Sequence, residues 1–132
     1  MKAHKLLCIL LALLMGTTSQ AQQNKAELED YCQKALDCYR QEKYTEAFDW
    51  YMKAAQQGYA KAQYYVGMKY ASGEGVEQND KEALRWYEKS ARRGYADAQA
   101  ALHMMYMIGI GTGKWPERAD YWLKKYEANP NK

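Results

Sequence analysis

From Asn24 onward, apolar residues recur three and four positions apart, the spacing that gathers them on one face of a helix. The first such stretch, 26–41, places Leu28, Tyr31, Cys32, Ala35, Leu36, Cys38 and Tyr39 in register. Asn24 and Glu27 before it have the form of a capping box. A turn at Glu42–Lys43 leads to a second predicted helix, 44–57, with Ala47, Phe48, Tyr51, Ala54 and Ala55 at helical spacing. Gly58 supplies the left-handed residue that ends it. A third runs over 60–71 and stops at Ser72-Gly73-Glu74-Gly75. Asn79 and Glu82 cap a fourth over 80–93, closed by Gly94, where Arg92 and Arg93 suit the negative end of the helix dipole. A fifth covers 96–108, and Pro116 opens a sixth that runs to about Ala128. No stretch alternates as a strand does.

The pattern repeats. Residues 47–82 laid on 83–118 are identical at 14 of 36 positions, including Trp50/Trp86, Tyr51/Tyr87, Gly58/Gly94 and Tyr70/Tyr106. A period of about 20–50 residues marks stacked units that cannot bury their apolar faces singly. The expected fold is therefore all-α: a short α-solenoid of about three antiparallel helix pairs, near 26–57, 60–93 and 96–128. Its repeat core comprises small residues at Ala47, Ala83 and Ala119, large ones at Trp50, Trp86 and Trp122 with Tyr51 and Tyr87, and the recurrent Tyr70 and Tyr106. Trp50 and Trp86 are expected to be largely buried between helices. Gly67, inside a helix, costs about 1 kcal/mol relative to alanine and is expected where another backbone presses on that face.

The first 21 residues read differently. A basic start, Met1 to Lys5, precedes ten apolar residues, Leu6–Met15, and then the small-x-small sequence Ser19-Gln20-Ala21. That order is a signal peptide, cleaved near Ala21, leaving a repeat domain over 22–132 that is periplasmic or secreted. The apolar run is about half of what a membrane-spanning helix needs, so no membrane span is expected in the mature chain. Cleavage also alters the charge: 19 Lys and Arg become 17 with the loss of Lys2 and Lys5, against 16 Asp and Glu. No basic run remains to point to nucleic acid. Cys32 and Cys38 stand six residues apart on one helix, about 9 Å along its axis, beyond disulfide reach of one another.

Chemistry is sparse. His103 is the one histidine beyond the signal segment, no His/Cys/Asp spacing suits a metal, and no nucleophile has a local base. Gly109-Ile110-Gly111-Thr112-Gly113 follows a helix and lacks the Lys-Ser/Thr ending of a phosphate loop. The expectation is a protein without cofactor, metal or catalytic residues.

The arrangement Ala-x-x-Trp-Tyr-x-Lys-Ala-Ala-x-x-Gly, followed by Ala-x-Ala-Gln-x-x-Val-Gly-x-x-Tyr-x-x-Gly-x-Gly-Val, resembles the Sel-one-like repeat (SLR), a relative of the tetratricopeptide repeat. Residues 47–80 and 83–111 match two units, with Ala119, Trp122 and Lys125 as a terminal half unit; 26–55 resembles a tetratricopeptide unit. Two departures stand out. His103 replaces the small residue of position 67, which predicts a splayed last pair or a ring turned outward, and Trp115-Pro116 replaces the valine loop. The resemblance implies a protein or peptide partner held on a concave face by the first helix of each pair. By matched position that face takes Glu29, Cys32, Leu36, Tyr39 and Arg40, then Lys61, Tyr64, Met68 and Ala71, then Asp97, Ala100, Met104 and Met107. An exported adaptor or scaffold is the reading that follows. Two alternatives stand beside it. One is self-assembly through the terminal faces. The other is an enzyme acting on β-lactams or cell-wall fragments, as in cysteine-rich relatives whose disulfide spacing this chain lacks.

Overall fold

The expected helices are all present, with one difference at the N-terminus. A computed structural model describes residues 2–132 as α1 (Lys2–Arg40), α2 (Tyr44–Gln56), α3 (Ala60–Ser72), α4 (Asp80–Arg92), α5 (Ala96–Ile108) and α6 (Pro116–Glu127), with no strand among the described residues. The anticipated start at Asn24 is not a start. α1 passes through it, because between Leu6 and Ala26 the chain has no proline and a single glycine to break the helix.

The chain divides into two units, residues 1–30 and 31–132. In the first, the side chains of Leu6 to Met15 are exposed. Its helix is long and apolar enough to cross a membrane, a test that signal sequences also pass. Cys8 lies exposed within it.

In the second unit each helix from α2 onward packs against the next in sequence. The small residues Ala47, Ala83 and Ala119 have no exposed surface, which lets neighbouring helices approach closely. Polar contacts follow the period as well. The Asn79 N–H donates to Tyr70 O at 2.8 Å, and the Trp115 N–H donates to Tyr106 O at 2.9 Å. Asn79 caps α4 by accepting the Glu82 N–H at 3.1 Å. The glycines explain the loops. Gly75 (φ +79°) lies against the backbone of Tyr44 and Thr45, and Gly111 (φ +70°) against that of Asp80 and Lys81, so each loop seats on the first turn of an earlier helix. No side chain fits there.

Three sequence expectations need correction. Gly67 is pressed by a side chain rather than a backbone: a methyl built there would lie 2.8 Å from Cδ1 of Tyr87. Trp50 and Trp86 are half-buried, each with a lysine laid over its ring, Lys53 at 4.1 Å and Lys89 at 4.3 Å; Trp122 is the tryptophan that is buried. An indole on the flank of a second helix is wide enough to touch its neighbour and still need a cover, and the aliphatic lysine stem supplies one. His103 turns inward. Its Nδ1 lies 3.0 Å from Ala119 O, so a hydrogen bond holds the ring against α6. The repeat position of Tyr87, whose ring presses on Gly67, is occupied by the smaller Leu123 a period later.

Candidate functional site

The first helices, α1, α3 and α5, carry the side chains expected to meet a partner. The structure places them in three different conditions. Met68, Met104 and Met107 are displayed: they are 38%, 58% and 47% exposed, with Ala71 also exposed. Ile108, 54% exposed, joins them one turn beyond Met104. Sequence reasoning missed Ile108, although its position four residues after Met104 was a usable signal. One period relates Met68 to Met104, Ala71 to Met107 and Ser72 to Ile108, so the apolar stripe occupies matched positions of successive helices and broadens toward α5.

Tyr39 and Tyr64 are in a second condition, held by ring contacts, although Tyr39 keeps 37% of its surface exposed. The Tyr39 ring has Lys69 Nζ over it at 4.0 Å and meets Tyr44 edge-on at 5.3 Å, while its hydroxyl donates to Glu74 Oε2 at 3.5 Å. Lys69 is buried and pairs with Glu74 Oε1 at 2.5 Å, so a charged clasp ties the end of α1 to α3 and its loop. Tyr64 is half-buried among Tyr65, Tyr87 and Tyr95, with ring centroids 5.2–5.7 Å away. Burial, followed by the nearby Asp97 carboxylate, raises the Tyr64 phenol above its ordinary range.

The remaining expected residues vary in exposure and polarity. Arg40 is exposed and pairs loosely with Asp37 at 3.5 Å; Asp97 is exposed; Leu36 and Lys61 are half-buried. Cys32 is buried, and the Cys38 thiol lies 4.0 Å from Glu46 Oε2. Among the described residues no group of three or more His, Cys, Asp and Glu side chains gathers as a metal would require. A flexible thioether surface with an aliphatic neighbour and mixed charges at its rim can accept an apolar segment of varied shape.

A second polar centre lies between α4 and α6. The buried Tyr106 hydroxyl donates to Glu88 Oε1 in a short hydrogen bond and accepts from Arg118 Nη1 at 3.3 Å. Burial, then the Glu88 acceptor, raises the Tyr106 pKa; a phenol so held stays protonated and serves as a link between helices.

The repeat geometry matches a known family. The Sel1 repeat profile covers residues 38–59, 60–95 and 96–125, together two thirds of the chain. The chain is a Sel1 repeat protein. Its units are phased α3–α4 and α5–α6, with the partial unit at the front over α2. The expected half unit at Ala119 and Trp122 is therefore the closing helix of a whole one. Among solved structures, a Sel1 repeat protein from Oxalobacter formigenes is 37% identical, with 66% of this chain covering 36% of that one at a TM-score of 0.64. A protective antigen of uropathogenic Escherichia coli with an SLR fold is 33% identical, with 83% of this chain covering 25% of that one at a TM-score of 0.72. The cysteine-rich protein B of Helicobacter pylori shares the fold alone, at 16% identity and a TM-score of 0.63, over 79% of this chain and 89% of that one. This Sel1 repeat protein thus spans about a third and a quarter of the first two relatives. No curated protein matches it.

Proposed function

We propose that this Sel1 repeat protein is an exported adaptor that holds a protein or peptide partner on the concave face formed by the first helices. The observation that carries this reading is the exposed stripe Met68, Ala71, Met104, Met107 and Ile108 at matched repeat positions. Stacking buries most of the positions that recur; it does not account for large apolar side chains left in water, the recurring Met68 and Met104 among them. Binding relieves that hydration, and methionine adapts to a partner at low cost. Tyr39 and Tyr64 contribute by fixing the helices that present the stripe, and Leu36, Arg40, Lys61 and Asp97 form its rim. Export rests on the order of residues 1–21; N-terminal sequencing of the mature protein then starts at or near Gln22.

Photo-crosslinkers placed at Met68 and Met104, with one at Lys124 on α6 as the outer-face control, test the surface. Capture of one species from envelope extract at the two methionine positions, lost in Met104→Glu/Met107→Glu, supports the reading. Capture at Lys124 alone, or capture indifferent to the two glutamates, refutes it. A second reading, self-assembly, draws on Trp115 at the N-terminus of the last helix and Tyr121 on it, both about half exposed. Sedimentation of the intact chain at rising concentration separates the two.

A further inference from the structure

Successive repeats hold the same buried glutamine in two different conditions. Gln63 on α3 and Gln99 on α5 are 4% and 5% exposed. Each donates its Nε2–H at 3.2 Å to a carbonyl at the end of the preceding helix, Ala55 O and Ala91 O respectively. In the later repeat the other side of the amide is also satisfied. Asn129 Nδ2 donates to Gln99 Oε1 at 2.9 Å and to Gly94 O at 2.8 Å, so the chain plugs this slot with its own amide. In the earlier repeat the plug is missing. Gln63 Oε1 is buried with no hydrogen-bond partner. A buried acceptor left unpaired is costly, and the slot is shaped for an N–H donor, because its copy one period on holds one.

The residue standing where Asn129 would be is Arg93, one period earlier. Its guanidinium lies over Gly58, where a methyl group on that glycine would meet Nη2 at 2.6 Å. The slot therefore opens into a cavity of about 680 Å³ walled by Gln63, Gly58, Trp86, Lys89, Arg92 and Arg93. That volume falls in the range of about 300–1,000 Å³ typical of ligand sites. Three cations line the cavity and no carboxylate does. Lys89 Nζ sits 4.3 Å from the Trp86 ring centre, which holds the ammonium at the wall. An occupant must supply an N–H to a buried acceptor and negative charge to three cations at once.

We infer that this cavity is a second binding site, one that takes an acidic peptide segment: an amide N–H seats on Gln63 Oε1 as Asn129 does on Gln99, and a neighbouring carboxylate sits among Lys89, Arg92 and Arg93. The site uses none of the side chains of the methionine stripe, so it stands whether or not that stripe binds a partner. A peptide meets both demands with adjacent groups. Inorganic phosphate offers its O–H and its charge on one small group that cannot reach both a buried acceptor and three separate cations, and a membrane surface cannot reach an acceptor at this depth.

The test uses the full chain in neutral detergent and the blocked tripeptide acetyl-Asp-Asn-Asp-amide, followed by nuclear magnetic resonance. Saturable shifts of the Gln63 side-chain amide, the Gly58 N–H and the Trp86 indole N–H are expected. Lys89→Gln/Arg92→Gln changes only solvent-facing cations, and it should weaken binding tenfold or more while leaving the helical spectrum intact. Arg93→Asn rebuilds the plug of the later repeat; it should abolish the shifts and raise the melting temperature. Equal binding of acetyl-Lys-Asn-Lys-amide, the same shifts with inorganic phosphate alone, or a response only to phosphatidylglycerol vesicles would overturn the assignment. So would Arg93 Nη protons already protected from exchange in the unliganded protein, since the chain would then be filling its own slot.

Discussion

Gly67→Ala pits helix propensity directly against packing, and the structure says which wins. Glycine within α3 costs about 1 kcal/mol relative to alanine, so the substitution alone should stabilise the helix. The added methyl, however, would lie 2.8 Å from Cδ1 and 2.9 Å from Cε1 of Tyr87. Carbon atoms in good contact are about 3.5–4.0 Å apart, so the ring must yield by more than half an ångström. It has little freedom to do so. Tyr87 is 7% exposed and packs on Tyr64 at 5.6 Å, which is itself wedged against Tyr65 and Tyr95. Overpacking of this kind costs about 1–3 kcal/mol, and after the propensity gain of about 1 kcal/mol the net loss is roughly 0–2 kcal/mol. The next repeat shows how the clash is removed, since His103 there is matched with Leu123. In a Tyr87→Leu background the same glycine-to-alanine change should therefore become neutral or stabilising by up to about 1 kcal/mol. Urea unfolding followed by circular dichroism, completed as a double-mutant cycle, should return a coupling of about 1–3 kcal/mol. If Gly67→Ala stabilises the unmodified protein, or the coupling is zero, the ring does not press on that helix and the packing of α3 on α4 is misassigned.

The three tryptophans at one repeat position should not be equivalent: Trp122→Ala should cost about 3–5 kcal/mol, whereas half-buried Trp50 and Trp86 should each cost visibly less, and equal losses in thermal unfolding would contradict their different burial. Burial pushes the phenols of Tyr51, Tyr87 and Tyr95 up to about 12. The unfolded chain releases those protons near pH 10, so the stability they carry is fully present below pH 10 and is lost as pH rises toward 12. Absorbance at 295 nm should show a late-titrating group of tyrosines whose ionisation coincides with loss of helicity; ionisation of every tyrosine near pH 10 in a folded protein would refute this.

The repeat made the fold readable because it states each packing demand more than once. Ala47, Ala83 and Ala119 announce close helix contact three times, and Gly58 with Gly94 marks the same helix ending twice. What stayed hidden lies where one copy differs from another. Spacing placed Tyr39 and Tyr64 on the first helices correctly. It could not show that Lys69 and Glu74 hold one of them, or that Tyr87 and Tyr95 hold the other, because those contacts join residues from different helices. The burial of Trp50 and Trp86 was overread for a similar reason. Conservation within the repeat signals a shared slot, but Lys53 and Lys89, three residues on, reveal that the slot faces partly outward. The start of α1 was misplaced because a capping sequence acts only where the preceding chain leaves the helix.

Departures from a repeat fall into two physical kinds, and the distinction locates function better than motif matching does. In the first kind a change in one helix is met by a change in its neighbour. Gly67 and Tyr87 become His103 and Leu123 at the same repeat positions, volume shifts from the second helix to the first, and the imidazole gains Ala119 O as a partner. Packing is conserved and nothing is left over. In the second kind no neighbour responds. Ser72 becomes Ile108 and Ala71 becomes Met107 without any cover, and Asn129 has as its counterpart Arg93, which leaves Gln63 Oε1 without a donor. Each uncompensated change carries a standing cost in the isolated chain, either apolar surface in water or a buried acceptor unmet. A single stable chain gains nothing from such costs, whereas binding of a partner, as proposed above, would recover them. The methionine stripe and the Gln63 cavity are two places among the described residues where such costs are left open.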